Sequence, residues 1–263
     1  MITVLTPTYN RAHVLRRLHA SLVAQACEDF EWLVIDDGSS DDTAGLIAEL
    51  SRSSRFPVRY FFQPNGGKHS AINAGVRMAH GGWILILDSD DALITDALGV
   101  VHQAVDQYGG SEKVSGFCFR KCHFDGRLIG KPSVLPGPVN LHPTIAGTMF
   151  KGDLAYVFRR TAMLREPFPV FQGEKFVPEL LVWNRIGDAG EILAFPNRPI
   201  YCCEYLEDGY SANFKRNLRR NPKGFLLYYR TQFFRERSFT RQLKCAVRSL
   251  QCTWYALLNG LRA

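Results

Sequence analysis

Acidic residues all but vanish from the last fifth of this chain. Residues 215–263 hold twelve Lys/Arg and one acid, Glu236, a local charge of +11. The other 214 residues carry −4 of the net +7, so the basicity belongs to a tail and not to the fold. Such a tail suits a nucleic acid or an anionic membrane. Long apolar runs are missing too. No stretch approaches 18 uninterrupted apolar residues, which excludes a bilayer-spanning helix. The segment Pro64-Asn65-Gly66-Gly67-Lys68-His69 fits neither GxGxxG nor GxxxxGK[ST], which leaves no support for a dinucleotide site or a P-loop. Of the seven cysteines, Cys118-x3-Cys122 and Cys202-Cys203 lack the spacing of a structural zinc site. No charged leader segment precedes residues 1–8, already a strand candidate, so reduced thiols and a cytoplasmic location are expected.

What is present is an alternation. With 46% hydrophobic residues in 263, the chain can build one core and an appendage. Residues 2–7 read as a strand, followed by the loop Thr8-Tyr9-Asn10-Arg11 and by Val14, Leu15, Leu18, Leu22 and Val23 at helical spacing. Strands at 30–35, 58–62 and 83–87 alternate with helices. The first of these helices is capped at Ser40 or Asp41, the next opens at Gly66-Gly67, and the last runs from Thr95 or Asp96 to about Tyr108. Such alternation predicts an α/β fold whose mostly parallel sheet is covered on both faces. Beyond it the pattern loosens. Strands are expected at 114–120, 154–158 and 192–195, a long functional loop over the Pro- and Gly-rich 131–151, and a helix over 174–186 with Pro178 in its first turn. The expected division is 1–110, 111–214 and a basic helical tail, 215–263.

Chemistry concentrates at strand ends. The apolar run 83–87 delivers Asp88, Asp90 and Asp91 to one point, with Ser89 between them. Three carboxylates in four positions repel one another unless a cation sits among them. Mg²⁺ or Mn²⁺ holding a diphosphate suits such hard oxygens, whereas capping the next helix needs only one Asp. A second acidic strand end, Asp36-Asp37-Gly38-Ser39, is either a plain turn or a place where Asp37 accepts from a base N–H and Tyr9 stacks on that base. Ligands of open α/β sheets gather beyond such ends. Lys68 can reach a phosphate or a carboxylate. Asn73, unfavourable inside a helix, either faces a donor or makes a buried structural hydrogen bond. In Gly173–Glu179, Glu179 is the best candidate base, since a partly closed site raises a carboxylate's pKa, although composition fits a solvated surface Glu as well. Trp183 and Arg185 follow it at helical spacing. His142 and Asp153 flank the 131–151 loop, as ligand contacts or as structural residues. In the tail, Leu243, Val247, Leu250, Trp254, Leu257 and Leu261 recur every three or four residues among Arg241, Lys244 and Arg248. That pattern describes a helix lying on an anionic bilayer or one packed on the domain.

Taken in order, these segments resemble the family 2 glycosyltransferases, an inverting group with the GT-A nucleotide-diphospho-sugar fold. The resemblance rests on Thr3-Val4-Leu5-Thr6-Pro7-Thr8-Tyr9-Asn10-Arg11, on Val34-Ile35-Asp36-Asp37-Gly38-Ser39-Ser40-Asp41, on Asn73-Ala74-Gly75 and on Asp88-Ser89-Asp90, the last similar to the family's D-x-D. It implies a nucleotide-sugar site built from Pro7, Tyr9, Asp37, Lys68, Asn73, Asp88 and Ser89. Within it Tyr9 stacks on the base, Asp37 binds its N–H, Asp88 lies near ribose and metal, and Asp90 is the principal metal ligand. The family commonly places its base in a Glu-Asp pair six residues before an Arg. Here Pro178-Glu179 stands six before Arg185, which departs from the Asp but keeps a carboxylate. The run 173–179 resembles a subgroup found in bacterial surface-polysaccharide assembly. The Gln-x-x-Arg-Trp motif of processive synthases is absent, so transfer of a single sugar is implied.

The implied reaction passes one sugar, expected to be UDP-linked, to an acceptor hydroxyl with inversion, Mn²⁺ or Mg²⁺ assisting and the 131–151 loop closing to exclude water. The expected acceptor is a lipid-linked saccharide. Residues 215–263 would meet the anionic inner face of a bacterial cytoplasmic membrane rather than a nucleic acid. Two other classes compete. A nucleotidyltransferase needs a Gly-rich, basic loop where this chain has Thr6-Pro7-Thr8-Tyr9-Asn10. A catalytically inactive nucleotide-sugar or nucleic-acid binding protein would use the tail, although the acidic cluster repels a phosphate backbone that brings no metal.

Overall fold

Residues 1–203 and 213–260 are described by the computed structural model. The elements run β1 (Ile2–Thr8), α1 (Ala12–Val23), β2 (Phe30–Asp36), α2 (Thr43–Ser53), β3 (Val58–Phe62), α3 (Lys68–Met78), β4 (Trp83–Ile86), β5 (Ala92–Leu93), α4 (Ala97–Tyr108), β6 (Val114–Cys122), β7 (Val139–Asn140), α5 (Pro143–Phe150), β8 (Leu154–Arg159), α6 (Arg160–Arg165), α7 (Leu180–Ala189), β9 (Glu191–Cys202), α8 (Phe214–Arg220), α9 (Pro222–Arg235) and α10 (Phe239–Gly260). One sheet in the order β3-β2-β1-β4-β8-β6-β9-β5 joins the two halves of the chain, with β7 added against β9.

Strand periodicity explains the layering. In β1 and β2 every residue is buried, so both faces are covered. Trp32 and Val34 pack with Leu15, Leu18 and Leu22 of α1 and Leu46, Ile47 and Leu50 of α2. Leu33 and Ile35, on the other face, pack with Ala71 and Ile72 of α3. Each large apolar side chain so buried contributes about 1.5–3 kcal/mol. Gly75 lets α3 close on β1, because a Cβ there would meet the Leu5 side chain at 2.2 Å. The pairs β1–β2, β1–β4 and β2–β3 are parallel, as the alternation implies. Beyond β4 the sheet is mixed, with β4–β8 and β6–β8 antiparallel and β6–β9 parallel.

Three expectations are corrected. The stretch 131–151 is not loop throughout: it contains β7 and α5. His142 ends extended at the N-cap and takes the Thr144 N–H on its ring, and Pro143 starts the helix without needing a donor. The helix expected from 174 begins only at Leu180, since Pro178 disfavours helical backbone at Val177 and the left-handed φ of +81° at Gly173 turns the chain beforehand. The strand expected at 192–195 continues to Cys202 through irregular pairing with β6.

Candidate active site

Parallel register brings three strand ends to one edge. Thr8 lies opposite Asp36, Asp36 opposite Phe62, and Leu5 opposite Ile86, so the loops after β1, β2 and β4 open together. Asn10, at φ 53°, laces the first loop to the second: its Oδ1 accepts from Ser40 N–H at 2.7 Å, and its N–H donates to Ser39 Oγ at 2.8 Å. Tyr9 stands half exposed at the mouth, and Pro7 is buried in β1. Asp37 is buried. Its Oδ1 accepts from Gln63 Nε2 at 2.7 Å and Gly66 N–H at 2.9 Å, and its Oδ2 from Gly67 N–H at 2.7 Å. The carboxylate thus shapes the glycine turn ahead of Lys68. Thr8 Oγ1 and Asn65 Oδ1 are buried at this edge without a hydrogen-bond partner, the condition of groups that await water or a ligand.

The glycine turn aims Lys68 at two carboxylates. Its Nζ lies 2.6 Å from Asp88 Oδ1 and 2.6 Å from Glu179 Oε1. Burial alone would lower the Lys68 ammonium, but Asp88 and Glu179 outweigh it and hold it well above its ordinary value. Burial likewise opposes the Asp88 charge, and Lys68 followed by Lys121 overcomes it, keeping that carboxyl below its usual range. Asp88 N–H donates to Tyr201 Oη at 2.8 Å. Tyr201 Oη also bonds Asp91, whose carboxyl is pushed up to about 7 by burial and then by Asp88, with Lys121 opposing. Arg17 donates to the Asp90 carbonyl and steadies the turn. The Lys121 ammonium rests 3.9 Å over the Tyr201 ring. One cavity is lined by Asp88, Lys121, Tyr156, Glu179, Trp183 and Tyr201.

Among the described residues no three His, Cys, Asp or Glu side chains form a metal cage. The donor set at Asp88 and Asp90 nonetheless suits a hard divalent cation of the Mg²⁺ type, which is commonly held by one or two carboxylates, with substrate phosphates and water completing its shell.

Lys68, Asp88 and Glu179, far apart in sequence, thus meet in one place. Ser89 is buried in the same turn as Asp88. Glu179 stands just ahead of α7, its carbonyl accepting from Val182 and Trp183 N–H at 2.9 and 3.1 Å, while its side chain turns to Lys68 instead of capping the helix. Asn73 is not among the residues brought to this edge. Its amide donates to Phe168 O at 2.8 Å and accepts from Phe168 N–H at 2.9 Å, the structural hydrogen bond of the two alternatives. His142 is engaged at α5 and pairs with Asp188 at 3.1 Å. Lys121 and Tyr201 escape a sequence reading. Lys121 follows the buried Arg120 in β6 with no flanking motif, and Tyr201 lies at the unforeseen end of β9.

The sequence pattern of Glycosyl transferase family 2 matches residues 3–119. A GalNAc(5)-diNAcBac-PP-undecaprenol beta-1,3-glucosyltransferase of Campylobacter jejuni is 33% identical over 179 residues, which is 64% of this chain and 54% of that one. The chain therefore spans about half the length of that relative. Staphylococcus aureus TarS 1–349 in complex with UDP-GlcNAc superposes with a TM-score of 0.66 at 20% identity, over 86% of this chain and 66% of that one. The mannosyltransferase PcManGT of Pyrobaculum calidifontis, in complex with GDP-Man and Mn²⁺, superposes with a TM-score of 0.62 at 17% identity, over 100% of this chain and 75% of that one. At these identities the superpositions establish the fold.

Proposed function

Since the chain belongs to the family 2 glycosyl transferases, we propose that it moves a single sugar from a nucleoside-diphosphate donor, UDP-linked in our reading, to an acceptor hydroxyl with inversion. The observation that carries this reading is the Lys68 ammonium, 2.6 Å from both the D-x-D residue Asp88 and the candidate base Glu179. Glu179 takes the proton from the acceptor hydroxyl. The oxygen then attacks the anomeric carbon from the face opposite the diphosphate, the bond to the diphosphate breaks, and the configuration inverts. Lys68 orients Glu179 and lies within reach of the donor's phosphates. Tyr9 and Asp37 flank the base, and Pro7 and Ser89 shape the walls. A divalent cation, Mn²⁺ or Mg²⁺, held by Asp88 and Asp90 would neutralise charge on the departing nucleoside diphosphate.

The same reading assigns the acceptor to a membrane-borne saccharide of surface-polysaccharide assembly, met at the inner face of the cytoplasmic membrane. Supporting this, α10 exposes Leu243, Val247, Leu250, Trp254 and Leu257 along one stripe, beside exposed Lys244 and the exposed Lys215, Arg216, Arg219 and Arg220 of α8. Leu261 lies outside the described residues. No helix among the described residues is long and apolar enough to cross a membrane.

The test is a panel of nucleotide sugars incubated with purified protein and Mn²⁺, with and without EDTA, scoring released nucleoside diphosphate. Release from one donor, suppressed by EDTA, is expected. Release that EDTA leaves untouched overturns the metal role of Asp88 and Asp90. Neither release nor binding of any donor overturns the transferase reading and favours a binding protein.

A further inference from the structure

The first turn of α9 lacks a cap of its own. Pro222 has no N–H, so the amides of Lys223 and Gly224 are the donors that need partners. Asn221, at the N-cap, does not serve them. Its Oδ1 accepts from Lys175 N–H at 2.7 Å, and its Nδ2 donates to Asn217 O at 3.0 Å. The amides are satisfied from 49 and 50 residues upstream: Lys223 N–H donates to Glu174 Oε1 at 2.8 Å and Gly224 N–H to Glu174 Oε2 at 2.9 Å. A carboxylate there also meets the favourable end of the helix dipole. Gly224 permits the approach, because a Cβ would stand 2.9 Å from Phe176 O. Phe176 and Phe225 pack with ring centroids 5.4 Å apart.

The opposite side of the same segment is gripped as closely. A Cβ on Gly67 would lie 2.1 Å from Lys175 O, so the segment presses on the turn that the Asp37 carboxylate shapes and from which Lys68 departs. Residues 174–177 are therefore held between the donor edge and α9. Pro178, stiff by its ring, passes that placement on to Glu179.

We propose that Glu174 is a positioning residue for sugar transfer: by binding the first turn of α9 it fixes the segment that carries Glu179, so that residues 213–235 belong to the catalytic apparatus. This rests on the transferase reading. The tests are Glu174→Gln, which keeps the shape and loses the charge, and Gly224→Ala, which pushes on Phe176 O while favouring the helix intrinsically. The readouts are kcat, the affinity for UDP with Mn²⁺ (or whichever nucleoside diphosphate the donor panel releases), and hydrogen exchange over 173–179. Misplacement of about an ångström costs up to about 100-fold in rate, so kcat is expected to fall about 10- to 100-fold in both variants. Nucleotide affinity is expected to stay within about twofold, because the charge and number of groups at the donor edge are unchanged. Exchange over 173–179 should rise, while that of β1 and β2 stays as in the parent. Unchanged kcat, unchanged exchange, or a loss of nucleotide affinity in step with kcat overturns the positioning role. A parent protein that neither releases nucleoside diphosphate from any donor nor binds one fails the transferase reading and removes the role with it, even where the exchange data reveal the tether. The two failures are thereby distinguished.

Discussion

At the scale of single residues, the site depends on where charge is balanced. Glu179 faces a lysine that also serves Asp88, so replacing it tests the base without dismantling the donor edge. Glu179→Gln is expected to lower turnover by about 10²–10⁴-fold while leaving nucleotide binding in place, checked by single-turnover transfer alongside calorimetry. A fall of less than tenfold would assign the proton transfer elsewhere. Far from the site, Glu31 is a buried carboxylate that accepts from Thr3 Oγ1 at 2.6 Å, His80 N–H at 2.6 Å and Arg59 at 2.9 Å. Burial works against its charge, but these donors prevail and hold its pKa below the ordinary value. The folded value is therefore the lower one. The stabilisation is complete above the unfolded pKa of about 4.3 and is lost as pH falls through the folded value. Glu31→Gln should cost about 3 kcal/mol at neutral pH, as loss of one partner of a buried charged pair does, and the gap from the parent should narrow in urea melts run progressively below about pH 4. A gap that does not change with pH would show that the charge of Glu31 contributes nothing.

At the scale of elements, α10 is amphipathic with its apolar stripe turned away from the rest of the molecule: Leu250 and Trp254 are 73% and 60% exposed, whereas Cys245 and Cys252 are buried on the inner side. Joint replacement Leu250→Glu and Trp254→Glu should weaken binding to vesicles rich in anionic lipid by at least about tenfold, since each large apolar group inserted contributes about 1.5–3 kcal/mol. The melting temperature should not move, because neither side chain is part of the core. Binding that survives the change would mean that the stripe is not the lipid contact. The stripe itself is legible in the sequence, since its three- and four-residue spacing needs no tertiary knowledge. So are the strands and helices of the first 108 residues, where period and turn chemistry agree, except the two-residue β5, which only its pairing with β9 reveals. What escapes is decided by contacts across the chain. The start of α7 is set by Pro178 and by an upstream segment whose Glu174 is bound to α9, a pairing 49 residues long that no local pattern announces. Asn73 shows the same limit in reverse. Its place inside a helix flags it as unusual, but only the Phe168 backbone shows which of the two uses it has. Lys121 is an ordinary lysine in a strand until β6 is laid beside β9 and its ammonium meets Tyr201.

For the molecule as a whole, the decisive fact is that one sheet runs from the donor edge into the second half and that α9 reaches back to the segment beside the donor edge. The +11 tail is thereby tied, through the Lys223 and Gly224 N–H groups on the Glu174 carboxylate, to the segment that carries Glu179. A ligand bound at the β1, β2 and β4 ends should accordingly stabilise everything together. Nucleoside diphosphate with Mn²⁺ at a hundred times its Kd adds about 2.7 kcal/mol. For a chain of this size each kcal/mol moves the midpoint by about 2 °C, so a rise of about 5 °C in a single transition is expected. If the carboxylates of the D-x-D turn hold the diphosphate only through a cation, EDTA should abolish most of that rise, and Asp90→Asn should do the same with Mn²⁺ present. A rise that survives both would mean that Lys68, Lys121 and the backbone of the glycine turn bind the diphosphate directly. Two resolved transitions, only one of them ligand-sensitive, would mean that the tail melts apart from the sheet and that the tether through Glu174 does not join them.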